Sequence, residues 1–251
     1  MLRADPTVVT PFHIRVMRAI GDAERAYGSF DLRLEGGTAL AAYHLRHRES
    51  EDLDFFAGQE VDIRDWVLFV RSHLADAGLE VRAEREAIMS FATLMVSDLQ
   101  DPAQGSVKVQ FARTSPYRLA PLDDAEEGIK VGSARDLFRG KLEAVCGRLE
   151  PRDFIDLHMI LWRTDSGHGL FTTEGAVAHW RALLDDLFLC DPGLDVPYVA
   201  LSVARARGRP TVTAFPLRLL KPVSDADVQA TIELCLEECA RLIEVGLRSG
   251  Q

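Results

Sequence analysis

A turn rich in glycine separates an extended segment from a helix at Leu34-Glu35-Gly36-Gly37-Thr38-Ala39-Leu40. The segment before the turn alternates apolar and polar residues, as half-buried strands do. Glycine lets the backbone approach a ligand closely, and the N–H groups that open a helix favour an anion such as phosphate. Two glycines at such a turn are more often structural than functional, so this stretch predicts a phosphate site only together with a second motif.

The second motif is the acidic and apolar stretch Glu51-Asp52-Leu53-Asp54-Phe55-Phe56. Side chains two apart on a strand point to the same face, so Asp52 and Asp54 project together. Neighbouring carboxylates repel each other unless a cation lies between them. Mg²⁺ is a natural candidate, because it binds one or two carboxylates and completes its shell with water and substrate phosphate. An exposed acidic edge is the alternative, but the apolar Phe55 and Phe56 indicate a strand that enters a core.

A third group of charged residues lies on two predicted helices in the second half of the chain. At about 100° per residue, Lys141 falls on the apolar face of the first helix, and Asp156 lies on a second helix that is apolar nearly all round. A buried lysine needs an anionic partner. The sequence therefore predicts either a structural Lys141–Asp156 ion pair or a phosphate clamp with a general base. Asp153 is predicted to cap the second helix rather than to act in catalysis.

Length and composition limit the classes of protein to which the chain can belong. The chain has 251 residues and a net charge of −10, which allows one large or two ordinary domains of about 100–200 residues and argues against a generic nucleic-acid coat. No stretch approaches the roughly 18 consecutive apolar residues of a membrane span, and the N-terminus has no apolar signal core. We therefore expect a cytoplasmic protein without a membrane partner.

The pattern of predicted elements indicates an α+β protein with two parts. A helix over Pro11–Tyr27 is followed by a strand from Phe30, a helix after the glycine turn, and alternating strand and helix signals up to about residue 130. The remainder is mainly helical. We place the boundary at residue 132, which gives an α/β domain over residues 1–132 and a helical domain over residues 133–251.

The order and spacing of the three motifs resemble the AbiEii/AbiGii toxin family of nucleotidyltransferase-like proteins. The resemblance covers roughly residues 30–163 and rests on Gly36–Leu40, on His47–Phe56, and on Lys141 with Arg148 and the stretch Arg152–Leu157. It implies a polymerase-β-like nucleotidyltransferase domain, in which a small mixed sheet is flanked by helices, followed by a helical domain.

The resemblance also implies an activity and a site. The activity is Mg²⁺-dependent transfer of a nucleoside monophosphate from an NTP to an acceptor such as tRNA or protein, and the sequence leaves RNA, protein and small-molecule acceptors open. The protein would be the toxin of a type IV toxin–antitoxin or abortive-infection system, with an AbiEi-like antitoxin encoded beside it. Asp52 and Asp54 would bind the metal. The implied site comprises the catalytic residues Asp52, Asp54, Lys141 and Asp156 and the nucleotide-binding residues Gly36, Gly37, Thr38, Ser50 and Arg152.

One position departs from the pattern of this superfamily. Polymerase-β-like sites generally use a third carboxylate on a later strand, and there the alternation places Lys108 and Gln110 on one face. A neutral amide binds Mg²⁺ less well and cannot act as a base. Asp52 and Asp54 could suffice, or the chain could be a degenerate, non-catalytic nucleotide- or partner-binding protein. Another carboxylate could also substitute for the missing one, the candidates being Asp98, Asp101 and Asp156.

Overall fold

The computed structural model describes residues 1–28, 30–114, 117–148, 150–162, 172–213 and 218–249. It divides into two compact units, Met1–Leu137 and Phe138–Gln251, which are described separately below. The division falls inside a helix, five residues after the boundary predicted from the sequence. The position of the domain boundary stays a prediction.

The first unit is a mixture of helices and strands, as predicted. Its elements are α1 (Pro11–Tyr27), β1 (Arg33–Glu35), α2 (Gly36–Ala39), β2 (Asp52–Ala57), α3 (Ile63–Asp76), β3 (Leu79–Ile88), β4 (Phe91–Asp98), β5 (Ser106–Arg113), β6 (Asp123–Asp124) and β7 (Lys130–Val131). Helix α2 continues as a wider π-helical segment over Leu40–Leu45. A short 3₁₀ turn over Pro102–Gln104 connects β4 and β5.

The strands form one mixed sheet in the order β3-β4-β5-β2-β1-β7-β6. Strand β2 lies in its interior, parallel to β5 and antiparallel to β1. The register places Asp52 beside Lys108 and Asp54 beside Gln110 on one side, and Asp54 beside Glu35 on the other. The acidic motif is therefore hydrogen-bonded to a neighbouring strand on both edges, and it is not an exposed acidic edge.

One face of the sheet carries the apolar core of the unit. Phe55 on β2 and Phe111 on β5 are almost fully buried, with ring centroids 5.7 Å apart. Trp66 of α3 meets the Phe111 ring edge-on at 5.8 Å. Burial of each such side chain stabilises the fold by about 1.5–3 kcal/mol. Because side chains alternate along a strand, this core leaves Asp52 and Asp54 half-buried on the opposite face.

The second unit is helical in its described residues. It contains most of α4 (Ala134–Gly147), followed by α5 (Pro151–Leu161), α6 (Thr173–Cys190), α7 (Val196–Ala204) and α8 (Asp225–Ser249). Helix α8 packs against α5, α6 and α7 and buries Val228, Ile232, Cys235 and Cys239 on one stripe. Within the described ranges, no helix is both long and apolar enough to cross a bilayer.

Two local predictions are wrong at the level of single residues. The strand predicted from Phe30 begins only at Arg33, because Asp31 adopts a left-handed backbone conformation with φ of 66° that interrupts the extended segment. Helix α5 begins at Pro151 with Glu150 as its N-cap, so Asp153 lies within the first turn and does not cap the helix.

Candidate active site

The glycine turn and the acidic strand are in direct contact. Helix α2 begins immediately after β1, and β1 pairs with β2 so that Glu35 lies beside Asp54. Gly36 has φ of +69°, and a Cβ at this position would collide with Asp54 Oδ2. Only glycine satisfies both conditions without strain. The structure therefore brings together the first two of the motifs predicted from the sequence.

Thr38 connects the glycine turn to the start of β2. Its side chain is fully buried, and its hydroxyl donates a hydrogen bond to the backbone carbonyl oxygen of Asp52. The same hydroxyl shares a hydrogen bond of 2.7 Å with the hydroxyl of Ser50. These contacts fix the backbone that carries Asp52. A nucleotide-binding role for Thr38 and Ser50 stays a prediction, and the observed role is to position the acidic strand.

Arg48 is a cation beside the glycine turn that sequence reasoning missed. Its side chain is buried, and a Cβ at Gly37 would lie 2.6 Å from one of its guanidinium nitrogens. Gly37 thus provides the space that the guanidinium occupies, while another of its nitrogens donates to the carbonyl oxygen of Glu49 at 3.0 Å. The sequence placed Arg48 in the stretch His47–Phe56 on which the resemblance rests, but it predicted no role for this residue.

A neutral histidine supports the loop that leads into β2. Burial is the main cause that lowers the pKa of His13, so its ring is uncharged near pH 7. Its Nδ1 accepts from the backbone N–H of Thr10 at 3.3 Å, and its Nε2 is 3.1 Å from the carbonyl oxygen of Glu51. A neutral imidazole satisfies both contacts when the proton is on Nε2. The residue immediately before Asp52 is therefore anchored to α1.

Lys108 forms an ion pair with one of the two predicted metal ligands. Its Nζ lies 2.8 Å from Asp52 Oδ2, and the two side chains are 32% and 29% exposed. The pair forms because β5 runs parallel to β2 and places Lys108 beside Asp52. The sequence had placed Lys108 on the correct face, but it indicated no partner.

Gln110 occupies the position next to Asp54 on β5. Its amide nitrogen donates to Thr93 Oγ1 on β4 at 3.4 Å, which turns the side chain toward the neighbouring strand. On the other side of Asp54, the carboxylate of Glu35 accepts from Arg33 Nε at 2.6 Å. Glu35, the carboxylate closest to Asp54 in the strand register, is therefore held by the buried Arg33.

The two candidate substitutes in the first unit, Asp98 and Asp101, do not reach this face. Thr93 shares a face with Gln110, so Asp98, five residues further along β4, projects from the opposite face and pairs there with Arg15 of α1. Asp101 lies outside the sheet, where its carboxylate accepts from the backbone N–H of Ala103 at 3.3 Å. Within the described residues, no group of three or more histidines, cysteines, aspartates or glutamates is arranged to hold a metal ion.

Asp52 and Asp54 nevertheless fit a divalent cation. Both supply the oxygen ligands that Mg²⁺ prefers, and Mg²⁺ commonly takes only one or two carboxylates together with substrate phosphates. Both side chains are half-buried, so solvent reaches them. Gly36 packs directly against Asp54, which places the glycine turn beside the acidic pair.

The second unit holds the third group of predicted residues. Lys141 Nζ lies 2.7 Å from Asp156 Oδ2 and 3.0 Å from Asp153 Oδ1, and both carboxylates are fully buried. Arg148 adds a second cation, with its Nε 2.8 Å from Asp153 Oδ2. Arg152 lies half-buried in the first turn of α5. The Lys141–Asp156 ion pair is present, and Asp153 is a member of the network that the sequence did not reveal.

The buried charges give this ion-pair network a structural role, whether or not it also acts in catalysis. Two buried carboxylates need cations or hydrogen-bond donors, and Lys141 with Arg148 supplies them. Removal of either cation would leave buried negative charge less well compensated. Catalytic roles for Lys141 and Asp156 stay predictions.

Comparison with known proteins gives one family and several similar folds. The family described as nucleotidyl transferase AbiEii toxin, type IV TA system, matches residues 24–238. MenT4, a nucleotidyltransferase toxin from Mycobacterium tuberculosis H37Rv, superposes with a TM-score of 0.57 and 20% identity over 91% of this chain and 83% of its own. JHP933 from Helicobacter pylori gives a TM-score of 0.48 and 19% identity over 96% and 97% of the two chains. No curated protein sequence matches the chain.

The likeness to MenT4 shows the fold alone, and it agrees with the nucleotidyltransferase fold that the resemblance implies. The family match is more informative, because it spans both units and includes every predicted site residue. The chain therefore belongs to the AbiEii family of nucleotidyl transferase toxins of type IV toxin–antitoxin systems, and it is a nucleotidyltransferase.

Proposed function

We propose that this nucleotidyltransferase uses Mg²⁺ to transfer a nucleoside monophosphate from an NTP to an acceptor hydroxyl on tRNA or on a protein. The observation that carries the proposal is the packing of Asp54 against Gly36. It joins a pair of metal-binding carboxylates to a turn suited to phosphate. Nucleotidyl transfer needs these two features side by side, since the metal ion and the phosphates must meet.

Each residue of the first unit has a specific task in this proposal. Asp52 and Asp54 hold the metal ion, while the turn over Gly36 and Gly37 binds the triphosphate. Bound Mg²⁺ would neutralise the charge that develops on the phosphate oxygens as pyrophosphate leaves. Thr38 keeps Asp52 in place through its hydrogen bond to the backbone.

In the second unit, we assign Lys141 and Arg152 to phosphate binding. We assign Asp156 the role of the base that accepts the proton of the acceptor hydroxyl. Two of the three ammonium hydrogens of Lys141 are used by Asp153 and Asp156, which leaves one for a phosphate oxygen. Asp156 would accept the hydroxyl proton more readily once phosphate draws the Lys141 ammonium away from its carboxylate.

The toxin role belongs to the family. We propose that an AbiEi-like antitoxin encoded beside this chain restrains it, and that it acts in the cytoplasm, where NTP and its acceptor are available. Expression of the chain alone should arrest growth, and co-expression of the adjacent reading frame should restore it. Growth arrest that persists with Asp54→Asn would contradict a toxicity that depends on transfer.

The decisive experiment follows the α-phosphate. The protein is incubated with α-labelled NTPs, Mg²⁺, a tRNA pool and a protein extract, and label is counted separately in RNA and in protein. We expect Asp52→Asn and Asp54→Asn each to lower transfer at least a hundredfold, because metal binding to phosphate contributes several kcal/mol. Asp124→Asn is a matched control, since Asp124 is also a strand aspartate, held 2.6 Å from Lys130 Nζ.

Three outcomes separate the possibilities. Label in RNA or in protein that depends on Asp54 supports the enzyme and identifies its acceptor. Transfer by Asp54→Asn within tenfold of the wild-type rate would refute the assigned metal site. Nucleotide binding without transfer by the wild-type protein would indicate the non-catalytic binding protein that Gln110 first suggested.

A further inference from the structure

Arg48, the buried cation beside the glycine turn, has no task in the proposed function. Its side chain is only 3% exposed, and it precedes the acidic strand β2 by four residues. One guanidinium nitrogen donates to the backbone carbonyl oxygen of Glu49 at 3.0 Å. An arginine keeps its positive charge in a protein, and burial of a charge is costly. The fold therefore keeps this charge next to the turn at an energetic cost.

The reason for glycine at position 37 differs from the reason at position 36. Gly36 has φ of +69°, whereas the backbone of Gly37 lies outside the left-handed region. Alanine is the stronger helix former, so the backbone of Gly37 in α2 would accept it. The obstacle is the guanidinium of Arg48, because a Cβ at Gly37 would lie 2.6 Å from its Nη2. The next nearest atoms, Arg48 Cζ and Ser50 Oγ, are at 3.5 Å, which is an ordinary contact.

This geometry separates Gly37 from direct contact with a ligand. The space where its side chain would begin is occupied by Arg48 and faces the protein. A triphosphate bound to the backbone of the turn would instead receive the charge of Arg48 from behind. At a separation of roughly 8 Å and the effective dielectric constant of a protein surface, one positive charge strengthens anion binding by about thirtyfold.

We propose that Arg48 is a positioning residue for triphosphate binding. Its guanidinium fills the space beside Gly37, supports the glycine turn and supplies a fixed positive charge behind it. Gly37 is then glycine for the sake of Arg48 and not for contact with the substrate. The inference rests on the proposed function, because it assumes that the glycine turn binds the triphosphate.

The test is a double-mutant cycle on binding, which needs no turnover. Four ribonucleoside triphosphate analogues that cannot be cleaved between the α and β phosphates are titrated with Mg²⁺ into the full chain by calorimetry. The analogue that wild type binds most tightly is then used throughout. Arg48→Ala and Gly37→Ala should each raise its Kd by about tenfold, because solvent weakens the full effect of the charge. In the double variant the new methyl group displaces no guanidinium, so the Kd should again rise about tenfold and not about a hundredfold.

Two further variants make the cycle specific. Arg48→Lys keeps the charge on a shorter side chain and should raise the Kd by only about threefold. It also replaces Arg48→Ala in the cycle if circular dichroism shows that Arg48→Ala is unfolded, and the addition of Gly37→Ala should then change the Kd no further. Gly175→Ala is the matched control, because this glycine lies in the first turn of α6 and its Cβ would have only an ordinary contact, 3.4 Å from Thr172 Oγ1. It should bind the analogue as wild type does.

Several results would overturn the inference. Arg48→Ala or Gly37→Ala with a Kd within about twofold of wild type would remove the role of the guanidinium. A double variant weakened about a hundredfold would show independent effects and would place the methyl group of Gly37→Ala against the substrate.

Failure of this inference differs from failure of the proposed function. If transfer depends on Asp54 but the cycle between Gly37 and Arg48 shows no coupling, only the role of Arg48 is refuted. If wild type binds none of the four analogues, the glycine turn is not a triphosphate site and both proposals fail.

Discussion

Replacement of Lys141 by methionine removes a cation that two buried carboxylates share. Lys141 lies 2.7 Å from Asp156 and 3.0 Å from Asp153, and both acids are fully buried. The observed burial predicts that the variant is less stable, because it leaves negative charge without full compensation in the core of the second unit.

The structure sets the size of the effect. Loss of one partner from a buried ion pair costs about 3–5 kcal/mol. Asp153 keeps Arg148 at 2.8 Å, so we expect the lower end, about 3 kcal/mol. For a unit of roughly 110 residues, each kcal/mol shifts the melting temperature by about 4 °C, which gives a decrease of about 12 °C.

The assay is thermal and urea denaturation followed by circular dichroism. Methionine retains the length of the lysine side chain, and Lys130→Met is the control, because its exposed ion pair contributes at most about 1 kcal/mol. Addition of Asp156→Asn to Lys141→Met should recover at least about 1.5 kcal/mol, since asparagine needs no counter-charge. Transfer is then measured well below the melting temperature, which separates lost activity from unfolding.

Two results would contradict this reasoning. If Lys141→Met lowers the free energy of unfolding by less than about 1 kcal/mol, the buried network is not a structural ion-pair cluster. If the double variant is less stable than Lys141→Met alone, Asp156 is not the group that Lys141 compensates.

Three further predictions follow from the geometry. Gly36→Ala should abolish transfer. It should also lower the free energy of unfolding by more than the roughly 1–2 kcal/mol that a left-handed backbone conformation costs alanine, because its Cβ meets Asp54. Gly105→Ala is the control, because Gly105 has φ of +77° with open space around it and should show only the backbone cost. Thr38→Val should weaken Mn²⁺ binding and lower stability by about 1–3 kcal/mol, since the carbonyl oxygen of Asp52 loses its donor; unchanged Mn²⁺ affinity would count against a positioning role. Stability should fall as pH drops below about 6.5, because burial lowers the folded-state pKa of several histidines and the unfolded chain then binds protons that the folded chain does not. These histidines are His13, His44 and His158. Urea midpoints at pH 7.5 and pH 5.5 measure this effect, and a higher midpoint at pH 5.5 would contradict it.

Local patterns were sufficient to predict much of the fold. Helix α1 spans Pro11–Tyr27 as its periodicity indicated, and β2 alternates as its sequence required. Both follow from interactions between residues close in the chain, because helical and strand periods determine which side chains share a face. The glycine turn was predictable for the same reason, since its chemistry depends on a few consecutive residues.

The partners of the charged residues were decided only by tertiary structure. The alternation showed that Lys108 and Gln110 share a face, but not that β5 would lie beside β2 and bring Lys108 to Asp52. The ion pair of Asp153 could not be predicted from the sequence either, because its partner Lys141 lies on the preceding helix. Strand order and helix packing are set by the burial of the whole apolar surface, which no short stretch encodes.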